Sequence, residues 1–434
     1  MSRFLFVMPP LVGHINPAAG VASELVRRGH QVAWVGDIQL IRELAGERAQ
    51  IFPCLGPQLT AGESRRPTSI RGPEALKFLW EKFLVPLAHA TAPSIENAIS
   101  MFCPDIVVAD QQALAGPIVA ERNRIPWATS ATTSGEFTAP VTGMRKIEAW
   151  IDELLHRLRT QLDNPTGTAD PRFSPHLVLA FTTEEFAGPT PRANDQTRFV
   201  GPSLAARPSI SDFPWEWLDE SRGLILITLG TVNADIGNRF LGECRQALRA
   251  RSGRLQAVIA DPAGSLKPAG TSMAYGTPTD RDILVLPRVP QLPLLARSRA
   301  VICHAGHNTV CETLWHGVPL LVAPIRDDQP IVASQVTSGG AGIRLRFGRA
   351  TASQIGTALD AILTEPQYRA SAQRIQTSFH RAGGTATAAL HLEELVRRTS
   401  RPAPAGLGQA GNPGALRSET SDEREPALDP DVRG

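Results

Sequence analysis

One stretch of the sequence, residues 300–329, carries polar side chains where predicted strands end and a predicted helix begins. Apolar runs at 300–303 and 318–323 predict two buried strands, and a helix is predicted over 308–316, with Gly317 ending it. In an open α/β sheet, ligands bind at the carboxyl ends of the strands. The polar residues of this stretch therefore lie on the edge where a binding site is expected.

The residue types at the start of the predicted helix suit a diphosphate. The free N–H groups of a helix N-terminus favour an anion, and Gly306 would let a phosphate approach the backbone. Asn308 and Thr309 are good capping residues that can also donate hydrogen bonds to phosphate oxygens. His304, at the end of the preceding strand, can donate to a phosphate as well. We therefore predict a phosphate site at this turn.

Two further positions suit sugars. Glu312 lies one helical turn after Asn308 and on the same face, where a carboxylate can bind the two hydroxyls of a ribose. Asp328 and Gln329, in the loop after the second strand, offer acceptors and donors for the hydroxyls of a hexose. The order along the chain matches diphosphate, ribose and hexose, which are the parts of a nucleotide sugar.

These positions resemble the nucleotide-sugar signature of the family-one glycosyltransferases, most closely the bacterial enzymes that glycosylate macrolides and other small molecules. The likeness covers roughly residues 1–398 and rests on many positions at fixed spacing, namely His304, Ala305, Gly306, His307, Asn308, Thr309, Glu312, Gly317, Val318, Pro319, Pro324, Asp328 and Gln329. The resemblance implies that the donor is bound by His304, Gly306, His307, Asn308, Thr309, Glu312, Asp328 and Gln329. It also implies that Gly230 and Thr231 face the diphosphate.

The resemblance implies a base-binding segment as well. Residues 288–291 correspond to the family's Trp-x-Pro-Gln, in which the Trp stacks on the base. Here Arg288 holds that place, and a guanidinium plane can also stack on a base. Val289 is expected to bind the base through its backbone, and Gln291 belongs to the same donor site. The change from Trp leaves the identity of the base open.

A candidate proton acceptor lies in the first half of the chain. His14 sits at a predicted strand-to-helix turn, and an imidazole with a pKa of about 6.5 can take a proton from an alcohol. Residues 13–17 resemble the family's acceptor-side motif, in which the His is the general base. Asp110, at the end of the predicted strand 104–110, takes the place of the family's Asp that fixes the tautomer of that His. A surface His and a helix-capping Asp are the alternatives.

The acceptor site is less defined by the sequence. Residues 75–90 are apolar and aromatic, and in the family this region lines the acceptor pocket. Phe78, Trp80 and Phe83 are therefore candidate acceptor contacts, although a plain core helix predicts the same residue types. Ser134, in a polar turn, is a further candidate.

Strands and helices alternate through both halves, which predicts an α/β fold. The resemblance implies the GT-B architecture, two Rossmann-like domains of mostly parallel sheet facing across a cleft. We predict an N-terminal acceptor domain over 1–202, a linker over 203–220 and a C-terminal nucleotide-sugar domain over 221–383. A helix over 384–400 is expected to cross back to the first domain. The composition of residues 401–434 predicts a disordered tail.

Composition argues against several classes of partner. The net charge is +2 and no basic face stands out, so nucleic-acid binding is not predicted. No apolar run approaches the ~20 residues that a membrane span needs. Five cysteines without a framework pattern predict reduced thiols and a cytoplasmic location. Cys303, His307 and Cys311 recur every four residues, but a strand and a helix separate them, so no metal site is predicted.

The predicted function is transfer of a hexose, with inversion, from a nucleoside-diphosphate sugar resembling UDP-glucose to a hydroxyl of a small hydrophobic acceptor such as a polyketide or terpenoid. Helix N–H groups would meet the charge on the leaving diphosphate, so neither a divalent ion nor another cofactor is expected. A GT-B sugar-nucleotide epimerase and a non-catalytic partner of another transferase are the alternatives. The sequence leaves the acceptor, the sugar, the choice between uracil and thymine, and the choice between monomer and homodimer open.

Overall fold

The structure of the protein is a computed structural model that describes residues 1–54, 70, 72–138, 143–204, 213–230, 237–264, 266 and 281–400. Three predicted features lie wholly or partly outside the described residues. They are the diphosphate contact Thr231, residues 205–212 of the linker, and the tail 401–434.

The first half of the chain forms a parallel sheet with helices on both faces. Its strands follow the order β3-β2-β1-β4-β5-β6-β7. Its elements are β1 (Arg3–Val7), α1 (Val12–Arg27), β2 (Gln31–Gly36), α2 (Ile38–Ala45), β3 (Gln50–Pro53), α3 (Gly72–Phe78), a π-helical segment (Leu79–Leu84), α4 (Val85–Phe102), β4 (Ile106–Asp110), α5 (Ala115–Arg122), β5 (Trp127–Ala131), a 3₁₀ turn (Gly135–Thr138), α6 (Arg145–Gln161), β6 (Val178–Ala180), α7 (Glu184–Ala187) and β7 (Thr197–Phe199).

The second half repeats this plan with the strand order β10-β9-β8-β11-β12-β13, also parallel. Its elements are a 3₁₀ turn (Trp215–Trp217), β8 (Gly223–Thr228), α8 (Asn238–Arg249), β9 (Leu255–Ala260), β10 (Ile283–Leu286), α9 (Gln291–Arg297), β11 (Ser298–Cys303), α10 (His307–Trp315), β12 (Leu320–Val322), α11 (Gln329–Ser338), β13 (Gly342–Arg344), α12 (Ala352–Thr364), α13 (Pro366–Ala382) and α14 (Gly384–Ser400).

The residue types of the central strands follow from the burial of both faces of each sheet. Phe4 to Val7 and Ile106 to Ala109 are apolar at every position because helices cover both faces of the sheet and exclude water from each strand. In the second half, Leu224 to Ile227 of β8 and Ala300 to Cys303 of β11 show the same pattern. The α/β fold class with two Rossmann-like domains is thereby confirmed.

The order of strands fixes where ligands can bind. In the first sheet, β2 and β3 lie on one side of β1, and the strands from β4 onward lie on its other side, so the strand order changes direction between the neighbours β1 and β4. In the second sheet the order changes direction in the same way between β8 and β11. A crevice opens at the carboxyl ends of such a pair because the two connecting segments leave in opposite directions. In the first pair, His14 follows β1 and Asp110 is the last residue of β4. In the second pair, Gly230 follows β8 and His304 follows β11.

The last helix lies against the first domain. The apolar residues Ala388 and Leu392 of α14 belong to the same buried cluster as Leu25 of α1. Glu393 of α14 accepts hydrogen bonds from Arg28 at 3.3 Å and pairs with His30 at 2.9 Å. The last described helix therefore links the second half of the chain to the first.

Candidate active site

The polar groups on the first-domain side form a closed network. His14 lies in the first turn of α1 and Asp110 is the last residue of β4, with 2.9 Å between His14 Nδ1 and Asp110 Oδ1. The Thr132 hydroxyl lies 2.7 Å from His14 Nδ1 and donates to Asp110 Oδ2 at 2.8 Å. The backbone N–H of Gln112 donates to Asp110 Oδ1 at 2.8 Å. Asp110 thus holds the imidazole by its Nδ1 edge, as a tautomer-fixing carboxylate would.

The environment of His14 sets its proton affinity. Its side chain is 15% exposed, whereas that of Asp110 is fully buried. Burial alone lowers the pKa of His14, but the charge of Asp110, the hydrogen bond to it and the charge of Asp328 together raise that pKa above 6.5. The structure therefore brings together the two residues predicted to act as base and orienting acid.

The donor side is built around the imidazole of His304. A Cβ added at Gly306 would lie 2.4 Å from His304 Nε2, and one added at Gly230 would lie 2.8 Å from His304 Cε1. The two glycines thus leave room for this ring, and the approach of a phosphate to the backbone of Gly306 stays a prediction. Between His304 and the helix, Ala305 adopts the left-handed backbone conformation, with φ of +64°, whereas Gly306 does not.

His304 is held as a neutral group. Burial lowers its pKa to about 4, although a hydrogen bond to the backbone of Thr228 acts in the opposite direction. Its Nδ1 is buried and has no hydrogen-bond partner among the described residues. A buried polar atom without a partner is costly, so this edge of the ring is suited to a ligand that supplies one.

The start of α10 contacts the other domain. The helix begins at His307 with Gly306, which has no side chain, as N-cap, so the capping role predicted for Asn308 and Thr309 is wrong. Asn308 instead donates from Nδ2 to the carbonyl oxygen of Gly13 at 2.6 Å. That carbonyl is available because Pro17, four residues later in α1, has no N–H with which to form the helical bond.

The predicted hexose contacts also lie at the boundary between the domains. The hydroxyl of Thr133 donates to Asp328, which is near enough to His14 for their charges to interact. Burial raises the pKa of Asp328, although Thr133 and His14 both oppose the shift. The side-chain oxygen of Gln329 accepts from the backbone N–H groups of Ile325 and Arg326 at 2.9 and 3.1 Å, which fixes the loop before α11.

The predicted ribose and base contacts are paired with each other or with the first domain. Gln291 donates to the buried Glu312 carboxylate at 2.6 Å. Arg288 is 70% exposed and forms an ion pair with Glu43 of α2, so its guanidinium spans the cleft. Val289 packs on the apolar cluster of the second domain. Thr309 is buried one turn before Glu312.

His307 faces the first domain. It is buried and forms a hydrogen bond with the backbone of Phe181, while burial lowers its pKa to about 4. The Ser134 hydroxyl lies 3.4 Å from its Nδ1 and the Cys311 thiol lies 3.5 Å from its Nε2. This surrounding makes His307 a contact between the domains, whereas the sequence predicted a donor contact. No group of three or more metal-binding side chains occurs among the described residues.

The predicted acceptor contacts divide into two groups. Trp80 and Phe83 are buried in the main apolar cluster of the first domain, which is the core packing left open as the alternative. Phe78 is half-buried at the end of α3. Ser134 is fully buried and donates to Gln335 of α11 at 2.8 Å, so its hydroxyl holds the domains together. This placement does not support acceptor binding by Ser134.

Several polar residues of the site escaped the sequence analysis. Thr132 and Thr133 lie in the polar turn after β5, but nothing in their spacing distinguished them from Ser134. Gln111 is 2% exposed, and both its amide atoms lack partners among the described residues. Its position directly after Asp110 was the available signal.

No helix among the described residues is long and apolar enough to cross a membrane.

Comparison with known families agrees with this geometry. Residues 12–140 match the glycosyltransferase family 28 N-terminal domain, and residues 201–383 match the UDP-glucoronosyl and UDP-glucosyl transferase family. The two matches together indicate a GT-B glycosyltransferase of the family-one type. The resemblance read from the sequence is therefore confirmed, and the reaction class of this glycosyltransferase is transfer of a sugar from a nucleotide sugar.

Curated relatives of this glycosyltransferase match along nearly its whole length. A protein named uncharacterized UDP-glucosyltransferase YojK, from Bacillus subtilis, is 26% identical over 430 residues, which are 93% of this chain and 100% of its own. Demethyllactenocin mycarosyltransferase of Streptomyces fradiae is 28% identical over 415 residues, 91% of this chain and 87% of its own.

Solved structures share the same fold. CalG4, the calicheamicin glycosyltransferase, superposes with a TM-score of 0.72 at 21% identity, covering 92% of this chain and 100% of that one. VinC, solved in complex with DTDP, gives a TM-score of 0.69 at 16% identity, covering 91% and 100%. At these identities the likeness establishes the architecture alone.

Proposed function

We propose that this glycosyltransferase moves a hexose from a nucleoside-diphosphate sugar to a hydroxyl of a small hydrophobic acceptor, with inversion at the anomeric carbon. The observation that carries the proposal is the pair of His14 and Asp110, 2.9 Å apart at the crevice of the first domain. Across the cleft it faces Asp328 and the start of α10. A proton acceptor on one side and a helix N-terminus on the other suit an alcohol and a diphosphate respectively.

The base acts through the free edge of the imidazole. Because Asp110 accepts the Nδ1 proton, His14 Nε2 carries a lone pair that can take the proton of the acceptor hydroxyl. The acceptor oxygen then attacks the anomeric carbon from the side opposite the diphosphate. The bond to the diphosphate breaks as the new bond forms, so a single displacement inverts the configuration. Asp110 stabilises the imidazolium that remains.

The leaving diphosphate gains negative charge in this step. In this proposal the N–H groups at the start of α10 and the amide of Asn308 bind that charge. This requires Asn308 to exchange Gly13 for a phosphate oxygen when the donor enters. Fixed donors of this kind can supply the stabilisation that a divalent ion provides in other enzymes, so we propose a mechanism without one.

The donor is proposed to carry uracil or thymine, with glucose as the first sugar to test. In this proposal Glu312 binds the ribose hydroxyls and Arg288 stacks on the base. Support comes from relatives named as a UDP-glucosyltransferase and a mycarosyltransferase, which differ in sugar. Other relatives are named 4'-demethylrebeccamycin synthase and zeaxanthin glucosyltransferase, which favours a lipophilic natural product as acceptor.

The test is a thermal-shift screen of UDP- and dTDP-sugars, followed by mass spectrometry of products formed with lipophilic alcohols. We expect one donor to raise the unfolding temperature, and nucleoside diphosphate to be released with a glycosylated product only when an acceptor is present. Conversion of the donor sugar without an acceptor would instead indicate an epimerase. Stabilisation by no donor, together with no product from any pair, would contradict the proposal.

A further inference from the structure

A hydroxyl stands at the centre of the catalytic pair. Thr132 follows β5 by one residue and is 4% exposed. Its Oγ1 lies 2.7 Å from His14 Nδ1 and 2.8 Å from Asp110 Oδ2. The parallel register places Ser130 beside Asp110, and Thr132, two residues further on, projects toward the same face. The three polar groups thus form a closed triangle.

One hydroxyl proton cannot serve both neighbours. If it were donated to His14, the bare Nδ1 would face the carboxylate, and the Thr132 oxygen would face Asp110 Oδ2 lone pair to lone pair at 2.8 Å. If it is donated to Asp110, the Thr132 oxygen presents a lone pair to His14 Nδ1, which then carries a proton shared with Asp110 Oδ1. Only the second arrangement satisfies every contact, because an ionised carboxylate accepts and does not donate.

The carboxylate has a complete set of donors only with this hydroxyl. Asp110 is fully buried, and its Oδ1 accepts from the backbone N–H of Gln112 as well as from the imidazole. Its Oδ2 accepts from Thr132. Without that hydrogen bond, one oxygen of a buried anion would lose a charge-assisted contact, and the carboxylate could rotate away from His14.

We propose that Thr132 is a positioning residue for the general base. It locks the tautomer in which Nδ1 is protonated and Nε2 is free to accept a proton. The inference rests on the proposed function, because it assigns Thr132 a role only if His14 is the base. Thr132 itself touches neither the donor nor the acceptor in this account, so its effect must pass through His14 and Asp110.

The test compares Thr132→Val with Thr132→Ser after wild-type transfer has been established. We expect Thr132→Val to lower kcat by about ten- to a hundredfold, as for a lost hydrogen bond to a charged group, with the donor KM changed less than about twofold. Thr132→Ser should recover most of that loss. Thr91→Val is the matched control, because Thr91 is equally buried in α4 and, among the described residues, its hydroxyl bonds to carbonyls of its own helix.

A double-mutant cycle separates positioning from general support of the fold. In an Asp110→Ala background the hydroxyl has no carboxylate to hold, so adding Thr132→Val should cost less than about threefold. An equal loss in both backgrounds, or an unchanged kcat in Thr132→Val alone, would overturn the inference. If Thr132→Val does not fold, Thr132→Ala is judged by the same criteria. A wild-type protein that transfers no sugar would refute the proposed function instead.

Discussion

The two sides of the cleft are built on the same strand topology but differ in how their polar groups are satisfied. On the first-domain side, Asp110 receives its hydrogen bonds from His14, Gln112 and Thr132, all within one domain. On the second-domain side, Asn308 reaches across to Gly13, and His304 Nδ1 lacks a partner among the described residues.

The first-domain side is therefore arranged for catalysis before a substrate binds, whereas on the second-domain side a ligand must complete the hydrogen bonds. A buried carboxylate with all its donors in place holds the imidazole before any substrate arrives, which reduces reorganisation during the reaction. Groups that bond across the cleft or stay unpaired can instead be transferred to a ligand at small cost. We therefore expect mutations on the first side to lower kcat and mutations on the second side to raise the donor KM.

The largest effect should follow from His14→Ala. Loss of the general base is expected to lower kcat by about a thousandfold, while the affinity for the nucleotide sugar stays within about twofold because the donor lies on the other side. Single-turnover transfer and calorimetric titration with the donor measure the two quantities. An equal loss of transfer and of binding would show that the two sides are not independent.

Asp110→Asn should lower kcat by about a hundredfold and also change the pH profile. The charge of Asp110 raises the pKa of His14 above 6.5, and only the neutral imidazole accepts a proton. Wild-type kcat/KM should therefore fall as the pH drops through a value above 6.5. Without that charge the pKa falls, so this acid limb should move to lower pH. An acid limb that stays in place would remove Asp110 as the partner of the base.

Glu312→Ala tests the donor side. Loss of the proposed ribose contact is expected to raise the donor KM by about tenfold, with a smaller change in kcat. Gln291→Ala is the comparison, because it removes the neighbour that bonds Glu312 at 2.6 Å and leaves the carboxylate in place. A donor KM unchanged in Glu312→Ala would exclude this residue from the ribose site.

Pro17→Ala tests the contact that joins the two sides. Alanine restores an N–H that can bond the Gly13 carbonyl, and this bond would compete with Asn308. Because Asn308 must leave Gly13 to bind the diphosphate, we expect the donor KM to fall about two- to fivefold, and Asn308→Gln to remove any further effect of the proline change, since both act on one contact. Steady-state kinetics of both single variants and of the double variant provide the measurement. Independent, multiplicative changes would argue against a shared contact.

The smallest effect is expected from metal removal. If helix N–H groups and side chains stabilise the leaving diphosphate, transfer after treatment with EDTA should stay within about twofold of the untreated rate. Product formation measured with and without added Mg²⁺ is the check. A collapse of activity that Mg²⁺ restores would mean that the second-domain side is completed by a metal ion as well as by the donor.

Much of this molecule was predictable from local sequence. Apolar runs such as 300–303 and 318–323 indicated buried strands, because a strand covered on both faces tolerates few polar residues. His14 and Asp110 were identifiable because each follows such a run at the edge where sheets of this class bind ligands. Residues 304–329 carried enough chemistry in a short span to indicate a nucleotide sugar.

The sequence could not assign partners to side chains whose contacts are far apart in the chain. Thr132 meets His14 across 118 positions, and Ser134 meets Gln335 across 201. Gly306 was interpreted as space for a phosphate, and the sequence could not show that the ring of His304 packs against the same glycine. In each case the residue type allowed several roles, and only the neighbouring element selected one.

By itself, then, the sequence determined the fold class and the two edges on which chemistry can occur, because periodicity, apolar runs and helix starts are local properties of the chain. Tertiary structure decided which polar group pairs with which. Hydrogen bonds depend on distances of a few tenths of an ångström between elements that meet only when each domain packs. That packing gave Asp110 its three hydrogen-bond donors and left His304 Nδ1 without a partner among the described residues.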